Sequence, residues 1–478
     1  MKKKLFTFGF AAFVALSFSP AYAEEKVDLT IYNQDFALVK QVLSKDLKPG
    51  TSEVQAENVA AQLDPTSVHI QSLTAPLDFR VLEQNFEFDL LNYGSLLEKY
   101  IGREVEVHQT SDDGKGQVFV QKGRLLTSGY QLQPYNSGGF VSGGYQYISN
   151  GSPMVEIDGK IHTAVDGHLV LPELPKDFVL KPTLVWQIEN RKPGKQELQL
   201  SYLTSGVKWI SDYVATVDDK DQKINLIGWV TIDNRSGAAY NNAKLKLVAG
   251  DVNRVQDMPQ PMMYKTMRAE AVMADGMAPQ FNEQSFFEYH LYTLQRPATV
   301  KNNEMKQIEM MNAQDVSVRK IYKVENGGKP QVKLEFDNKK ENGMGMPLPK
   351  GRVRLYKKDS EGSLQFIGED QISHTPKDEK ISLLLGNVFD LVAERQQSNY
   401  NQIQPGKIWE ETWAVKLRNH KEENIKVLVS ENLYGGREWK ITKNSHPFQK
   451  KNAQQIEAWI DVPKGQEVVF SYTVKYNG

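Results

Sequence analysis

Apolar and polar residues alternate along most of the chain, and this period of two is typical of half-buried β-strands. Two alternating segments in residues 184–202 flank the turn cluster 191–195, which predicts a β-hairpin. The same order of strand, polar turn and strand recurs in residues 213–247 and throughout the C-terminal third. Since each predicted strand has one apolar face, each sheet needs a second layer to cover it.

We therefore expect a mainly all-β protein built from tandem antiparallel β-sandwich domains, with an inserted small β-barrel and very few helices. The predicted organisation is a signal peptide at 1–23, a discontinuous N-terminal sandwich at 24–90 and 181–252, a barrel-like insert at 91–180, a Met-rich mobile linker at 253–282 and a C-terminal sandwich region at 283–478.

The insert differs from the rest of the chain in its glycines, which suit tight corners of a strongly bent sheet. It also holds the best helix candidate, from the capping residue Asn92 to Ile101, ended by Gly102. Residues 381–395 contain a leucine run interrupted by Gly386, and we interpret them as strand, turn and strand. Asn234 and Asn419 each follow a strand that contains tryptophan, a similarity that predicts two sandwiches with related topology.

The N-terminus has the features of a secretory signal. Three lysines at positions 2–4 precede an apolar run from Leu5 to Phe18, and Ala21-Tyr22-Ala23 provides small residues for a signal peptidase. The alternative is a transmembrane anchor, but that requires about 20 apolar residues. We expect cleavage after Ala23 and a periplasmic or secreted protein of the bacterial cell envelope, with no transmembrane segment in the mature chain.

Charge and cysteine content narrow the possible partners. Removal of the three signal lysines from 58 basic residues leaves 55 against 59 acidic ones, a net charge near −4. Such a balance offers no large basic field for nucleic acid. The chain has no cysteine, so thiol catalysis, thiolate metal sites and a lipid anchor on an N-terminal cysteine are excluded.

Catalytic motifs are missing from the sequence. It has no P-loop, no dinucleotide fingerprint and no serine in a nucleophile elbow. His162 and His168 flank Asp166 in half of a possible metal site, although such histidines are more often solvated loop residues. The acidic cluster 218–221 suggests calcium, but position 12 of such a loop is Trp229, which cannot ligate, so a hairpin turn is the better interpretation. We assign no catalytic residue.

Methionines form the one soft-ligand cluster, within the predicted linker. Thioether sulfur prefers Cu(I), so the cluster suggests copper binding. The alternative is a low-complexity loop whose methionines have no metal to bind, and the lack of any histidine between His168 and His290 favours it. The six candidate metal ligands are Met258, Met262, Met263, Met267, Met273 and Met277.

Seven tryptophans provide possible contact surfaces for a protein or a glycan. Trp186 and Trp413 share the phase of the neighbouring aliphatic residues, which favours core packing for both. Trp439 follows the loop 435–437 and is the better candidate for an exposed contact.

Several long strings resemble an exported bacterial family, the domain of unknown function 4139 family. They span residues 29–36, 63–68, 82–90, 180–186, 200–213, 228–251 and 287–308. The resemblance implies a β-sandwich architecture and an envelope location. It brings no established activity, ligand or catalytic residue.

Three functions follow from these observations. The first is a non-enzymatic binding or scaffold protein that contacts an envelope protein or glycan through loops and sheet edges. The second is a periplasmic Cu(I)-binding protein that uses the Met-rich segment. The third is an envelope glycan or peptide hydrolase with carboxylates dispersed along the sequence.

Overall fold

The structure is a computed structural model that describes residues 26–88, 92–110, 117–135, 144–173, 181–254, 280–435 and 437–477. It is all-β in class, as predicted, with one α-helix among these residues. None of the helices in these ranges has the length and apolar character needed to cross a bilayer. The predicted signal peptide and most of the predicted Met-rich linker lie outside the described residues.

The first strands are β1 (Lys26–Tyr32), β2 (Phe36–Leu47), β3 (Gly50–Glu57), β4 (His69–Ser72) and β5 (Phe79–Glu87), with a 3-10 turn at Pro65–Ser67. The insert contains α1 (Tyr93–Tyr100), β6 (Glu104–Thr110), β7 (Val118–Thr127), β8 (Tyr130–Tyr135), β9 (Gly144–Ser149), β10 (Met154–Ile157), β11 (Lys160–His162) and β12 (His168–Val170). The next strands are β13 (Thr183–Asn190), β14 (Gly194–Ser205), β15 (Val207–Val217), β16 (Lys223–Asn234) and β17 (Tyr240–Ala249).

After residue 280 come β18 (Phe281–Phe286), β19 (Tyr289–Leu294), β20 (Ala298–Val300), β21 (Glu304–Ser317), β22 (Arg319–Glu325) and β23 (Gln331–Asp337), with a 3-10 turn at Lys340–Asn342. They are followed by β24 (Gly351–Lys358), β25 (Leu364–Ile372), β26 (Lys380–Asn387), β27 (Leu391–Gln404) and β28 (Ile408–Asn419). The last strands are β29 (Ile425–Asn432), β30 (Glu438–Asn444), β31 (Gln449–Asn452), β32 (Gln455–Val462) and β33 (Glu467–Asn477).

Two sheets form the first sandwich. One has the order β18-β19-β17-β1-β2-β14-β4, with β20 beside β17, and the other has the order β21-β16-β15-β24-β25. Their facing sides share one apolar core, in which Trp209 of β15 donates its indole N–H to the carbonyl of Val248 at 3.1 Å. The alternating burial of β15 shows how its period-two sequence places one face in this core. A third sheet, β3-β13-β5, extends the same core and buries Trp186, as predicted.

The insert has a small core of its own beneath α1. The helix forms where the sequence predicts it, because the Asn92 side chain accepts the N–H of Ser95 and Gly102 follows the helix end with φ +83°. Its sheet has the order β11-β10-β7-β6-β12, and β8 pairs with β9 beside it. Gly123 of β7 is required by packing, since a Cβ there would lie 2.5 Å from a methyl carbon of Val155.

The second sandwich combines a sheet of order β26-β23-β22-β29-β32-β31 with one of order β27-β28-β33-β30. Their facing sides form a second apolar core, whereas Leu334 and Phe336 of β23 and Ile381 and Leu383 of β26 belong to the first core. The predicted strand, turn and strand at 381–395 is confirmed by β26 and β27. The two sandwiches meet where β25 runs beside β26, and the Asp370 carboxylate accepts the backbone N–H of Leu384 at 2.7 Å.

The predicted repeat is present in the strand order. In each sandwich the first strand pairs in parallel with the strand that follows a buried asparagine. β1 pairs with β17, which follows Asn234, and β22 pairs with β29, which follows Asn419. Asn234 and Asn419 are both buried, and each side-chain oxygen accepts the N–H two residues ahead. Their amide groups donate to carbonyls of Ala238 and Lys301 in the first sandwich and of Glu423, Val462 and Pro463 in the second. Each asparagine therefore fixes the corner at which the chain crosses between sheets.

The strand pairing places residues 281–317 and 351–372 in the first sandwich, although the predicted C-terminal region begins at 283. β18 and β19 continue the sheet of β17, while β21, β24 and β25 complete the sheet of β15 and β16. Alternation within a strand does not show which distant strand it pairs with. The boundary predicted at 283 therefore separates residues that share one core.

Candidate interaction site at the end of the second sandwich

The β27–β28 hairpin forms one edge of the second sandwich, with β27 outermost and β28 paired along its length with β33. The two strands pair from Leu391 opposite Asn419 to Gln404 opposite Ile408. Leu391 is buried, but every residue from 396 to 407 is exposed. The outer part of β27 has the sequence QQSNYNQIQ, which contains no charged residue and no proline. Its length is therefore not explained by burial in the core.

The uncharged part of β27 is also a sheet edge. Within the part of the chain that the structure describes, β27 pairs with β28 alone. The opposite edge of the same sheet, β30, carries Lys440 and Lys443, and the edge strand β31 carries Lys450 and Lys451. Lysines on an edge strand oppose pairing with another chain, because pairing would desolvate their charge. β27 lacks this protection between residues 396 and 404.

Register shifts shape the exposed strand. The ladder with β28 is irregular between Gln397 and Asn399 and again between Gln402 and Gln404. Bulges of this kind bend a strand and increase its twist. Between them, Asn399 to Gln402 form a regular stretch with Tyr400 opposite Glu411.

The half of the hairpin next to its turn is held by a carboxylate between two tryptophans. Trp409, Glu411 and Trp413 alternate along β28 and therefore share one face. Both indole N–H groups donate to Glu411, one to each carboxylate oxygen, at 3.0 Å. Glu411 is buried, so these bonds satisfy a charge that would otherwise be costly to place there. The arrangement gives Glu411 a role in positioning aromatic rings.

A second buried carboxylate joins the two sheets. Glu431 of β29 is fully buried, and its Oε2 accepts the Nε–H of Arg395 at 2.7 Å and the hydroxyl of Tyr472 at 2.8 Å. The Arg395 guanidinium carbon lies 3.4 Å from the ring centroid of Trp413. Oε1 of Glu431 has no partner among the described residues. The bonds tie strand β27 to strand β29 across the sandwich.

The charges of this network shift its titrating groups. Burial lowers the pKa of Arg395, but the hydrogen bond and charge of Glu431 raise it more, so the net pKa of Arg395 is raised. Burial and the adjacent Glu431 charge raise the pKa of Tyr472 far above its ordinary range. Both shifts keep Arg395 cationic and Tyr472 neutral at any physiological pH.

An aromatic rim surrounds the end of the sandwich beside the hairpin. Trp409 stacks on Tyr476 with ring centroids 5.0 Å apart, and the guanidinium carbon of Arg437 lies 4.9 Å from the Trp409 centroid. Tyr434 contacts both rings edge-on and is 59% exposed. Burial is the main cause that raises the pKa of Tyr476 to about 12. Tyr434 and Arg437 are exposed, Trp409 is half-buried and Tyr476 is buried, so the surface at this end of the sandwich presents one tyrosine ring and one cationic group around Trp409.

Trp439, the predicted exposed contact, lies in edge strand β30 and is half-buried. Its indole N–H donates to the carbonyl of Ala453 at 2.7 Å, and the Lys450 ammonium lies 4.5 Å from its ring centroid. A role for Trp439 in binding stays a prediction. Trp413 packs at the border of the second core, in agreement with its alternation phase. All six methionines proposed as copper ligands lie outside the described residues.

The other candidate ligands are spread out in the structure. His162 and His168 are exposed on β11 and β12, at opposite ends of the insert sheet. In the described ranges, no three histidine or acidic side chains are grouped so as to hold a metal ion. The predicted turn at 218–221 is confirmed, because the Asp218 carboxylate accepts the N–H groups of Gln222 and Lys223. Its neighbour Asp221 forms ion pairs with two lysines of other strands.

Sequence reasoning missed the residues that define this end of the sandwich. Arg395, Glu411 and Glu431 were not singled out, because nothing local shows that distant strands bring them to one core. Two signals were nevertheless present. The spacing Trp409-x-Glu411-x-Trp413 places all three on one face of a strand, and residues 396–404 form an uncharged run in an otherwise highly charged region.

Comparison with known proteins adds a family match. A family model described as a domain of unknown function (DUF4139) matches residues 198–477, more than half of the chain. The match contains most of both sandwiches and all of the β27–β28 hairpin. The strings before residue 198 that carry the sequence resemblance lie outside the matched range. No curated protein matches the chain.

Proposed function

The chain belongs to the domain of unknown function 4139 family, and we propose that it is an exported, non-enzymatic binding protein of the bacterial envelope. Its contact surface in this proposal is the outer part of β27, which accepts a strand from a partner. Trp409 lies opposite Gln402 of that strand and, with the exposed Tyr434 that contacts it, provides the side-chain contacts. Strand addition of this kind obtains affinity from backbone hydrogen bonds and specificity from neighbouring side chains.

The observation that carries the proposal is a difference between the two repeats. β15 in the first sandwich and β27 in the second are equivalent strands: each forms a hairpin with the strand that ends at a corner asparagine. The other side of β15 is occupied by β24, which pairs with it in parallel from Ser211 to Val217. The same side of β27 has no partner strand among the described residues. In the first sandwich the chain therefore supplies a strand, β24, to this edge. In the second sandwich the equivalent edge has no such strand among the described residues.

The side chains of residues 396–404 support the same proposal. Tyr400 is 55% exposed and Ile403 is 48% exposed, so two large apolar groups lie next to open backbone. The remaining side chains of residues 396–404 are amides and one hydroxyl, which hydrogen-bond without requiring a counter-charge. Such a strand is suited to adding another strand and has few features that repel one.

Capture from envelope fractions tests the proposal. The test variant combines Asn399→Lys with Asn401→Lys on β27, where Asn401 lies opposite Glu410 and an added lysine favours the native hairpin. The control variant combines Thr442→Lys with Gln449→Lys, which adds the same charge to exposed positions on edges β30 and β31 that already carry lysines. We expect the β27 variant alone to lose the captured component. Equal capture by both variants would contradict the proposal.

Envelope location is part of the proposal and has its own measurement. Expression of the full chain in a bacterial host, followed by fractionation and N-terminal sequencing, should give a periplasmic or secreted protein that begins at Glu24. A protein that keeps residues 1–23, or that stays in the cytoplasm, would refute export while leaving the binding surface to be tested in vitro.

A further inference from the structure

We propose that the strand added to β27 is β27 of a second copy of this chain, in an antiparallel pair centred on Tyr400. This inference rests on the proposed strand addition and names its partner. The pair joins two four-stranded sheets into one eight-stranded sheet with two-fold symmetry. Such an interface is isologous, since each copy offers the same residues to the other.

The sequence of the exposed strand is partly the same read in either direction: Gln396, Asn399, Tyr400, Asn401 and Gln404 keep their residue type, whereas Gln397 exchanges with Ile403 and Ser398 with Gln402. In QQSNYNQIQ, residues 396–404, an antiparallel pair centred on Tyr400 places Gln396 opposite Gln404 and Asn399 opposite Asn401. Ser398 then lies opposite Gln402, and the two Tyr400 side chains meet at the symmetry axis. Directly opposite side chains in antiparallel strands lie about 5 Å apart, which suits amide–amide hydrogen bonds and a tyrosine pair.

Charge selects this edge for self-pairing over the other edges of the sandwich. Self-pairing of β30 or β31 would bring lysines of one copy close to lysines of the other. Residues 396–404 place no charge opposite another. Beyond these residues, the Glu394 carboxylate forms an ion pair with Arg418 of the same chain at 2.5 Å. Its charge is therefore already balanced where the strand enters the interface. A second copy therefore meets no electrostatic opposition along this edge.

The size of the contact sets the expected affinity. Nine residues of extended chain span about 30 Å, and one strand pair buries less surface than a standard protein interface. We therefore expect a dimer with a micromolar dissociation constant. The pair uses the one side of β27 that is open within the described residues of each copy, so the contact closes at two copies.

Sedimentation of the mature protein over a range of concentrations tests the inference. The wild type should change from monomer to dimer in the micromolar range. The variant with Asn399→Lys and Asn401→Lys places introduced ammonium groups opposite each other across the axis, so its dissociation constant should rise at least tenfold. The variant with Asn399→Glu and Asn401→Glu should behave in the same way. An equimolar mixture of the two variants should restore a dimer that contains one copy of each, because opposite charges then face each other.

Controls keep the outcomes distinct. Circular dichroism of each variant checks the fold, and the control with Thr442→Lys and Gln449→Lys should dimerise as the wild type does. A wild type that stays monomeric, or a dimer that persists in both charged β27 variants, would overturn self-pairing. A monomeric wild type that still loses its captured envelope component in the lysine variant would refute this inference and leave strand addition to a different partner supported.

Discussion

Replacement of Arg395 by methionine should strongly destabilise the second sandwich. The Glu431 carboxylate is fully buried, and Arg395 donates to it at 2.7 Å. Removal of one partner of a buried ion pair costs about 3–5 kcal/mol, because the remaining charge is left uncompensated. The Arg395 side chain is 21% exposed, so water offsets part of this cost and we expect about 3 kcal/mol. Methionine keeps an apolar stem against Trp413, which separates the loss of charge from the loss of packing.

A double-mutant cycle isolates the charge effect. Glu431→Gln in the Arg395→Met background removes the buried charge, and the new amide oxygen still accepts the hydroxyl of Tyr472. We expect this second change to restore roughly 2 kcal/mol, a coupling typical of contacting residues. Urea unfolding followed by tryptophan fluorescence and far-UV circular dichroism measures each variant. A loss below about 1 kcal/mol for Arg395→Met, or an equally unstable double variant, would refute the reasoning.

Four other predictions test separate parts of the protein. Glu411→Gln leaves one acceptor oxygen for two indole N–H groups, and urea unfolding should show a loss of about 1–3 kcal/mol. Asn234→Ala and Asn419→Ala each remove a corner, so the two should lower the melting temperature by similar amounts; a large effect at one corner alone would contradict the repeat. Burial raises the pKa of Asp221, but hydrogen bonds and charges of two lysines lower it more, so the folded-state pKa lies below the ordinary 3.8. The ion pairs therefore stabilise the fold fully above pH 3.8, and this stabilisation is lost as pH falls through the folded-state pKa. Asp221→Asn should lower the free energy of unfolding at neutral pH and make it depend less on pH in the acid range. Anaerobic Cu(I) titration should show no binding tighter than micromolar, unchanged by leucine at Met258, Met262, Met263, Met267, Met273 and Met277.

Local elements of this fold were predictable because local chemistry determines them. The period-two burial of β15 follows directly from its alternating sequence, and Asn92 caps α1 because its side chain reaches the N–H of Ser95. The repeat was also visible, since Asn234 and Asn419 occupy equivalent corners. Each of these features depends on residues that are close together in the chain.

Pairing between distant segments was not predictable in the same way. β24 lies parallel to β15 although paired residues are 140 positions apart in the chain, from Ser211 with Gly351 to Val217 with Lys357. Neither strand has a sequence feature that identifies its partner. The contact of Arg395 with Glu431 likewise requires β27 and β29 to face each other across a core. The predicted boundary at 283 was placed at a change of composition, whereas the core follows the pairing of strands.

The two repeats differ where the proposed function lies, and this difference argues against a purely structural role for β27. β15 has 11 residues and nearly all of its inward positions are buried, so its length matches the core it covers. β27 has 14 residues, and its exposed second half contributes nothing to the core. An exposed uncharged edge carries a cost, because it favours unwanted association. At the other edge of the same sheet, β30 carries two lysines that oppose pairing with another chain. The same protection by charge is therefore possible in this sheet. The absence of such charges from residues 396–404 is best explained if pairing at this edge is itself the function of the strand.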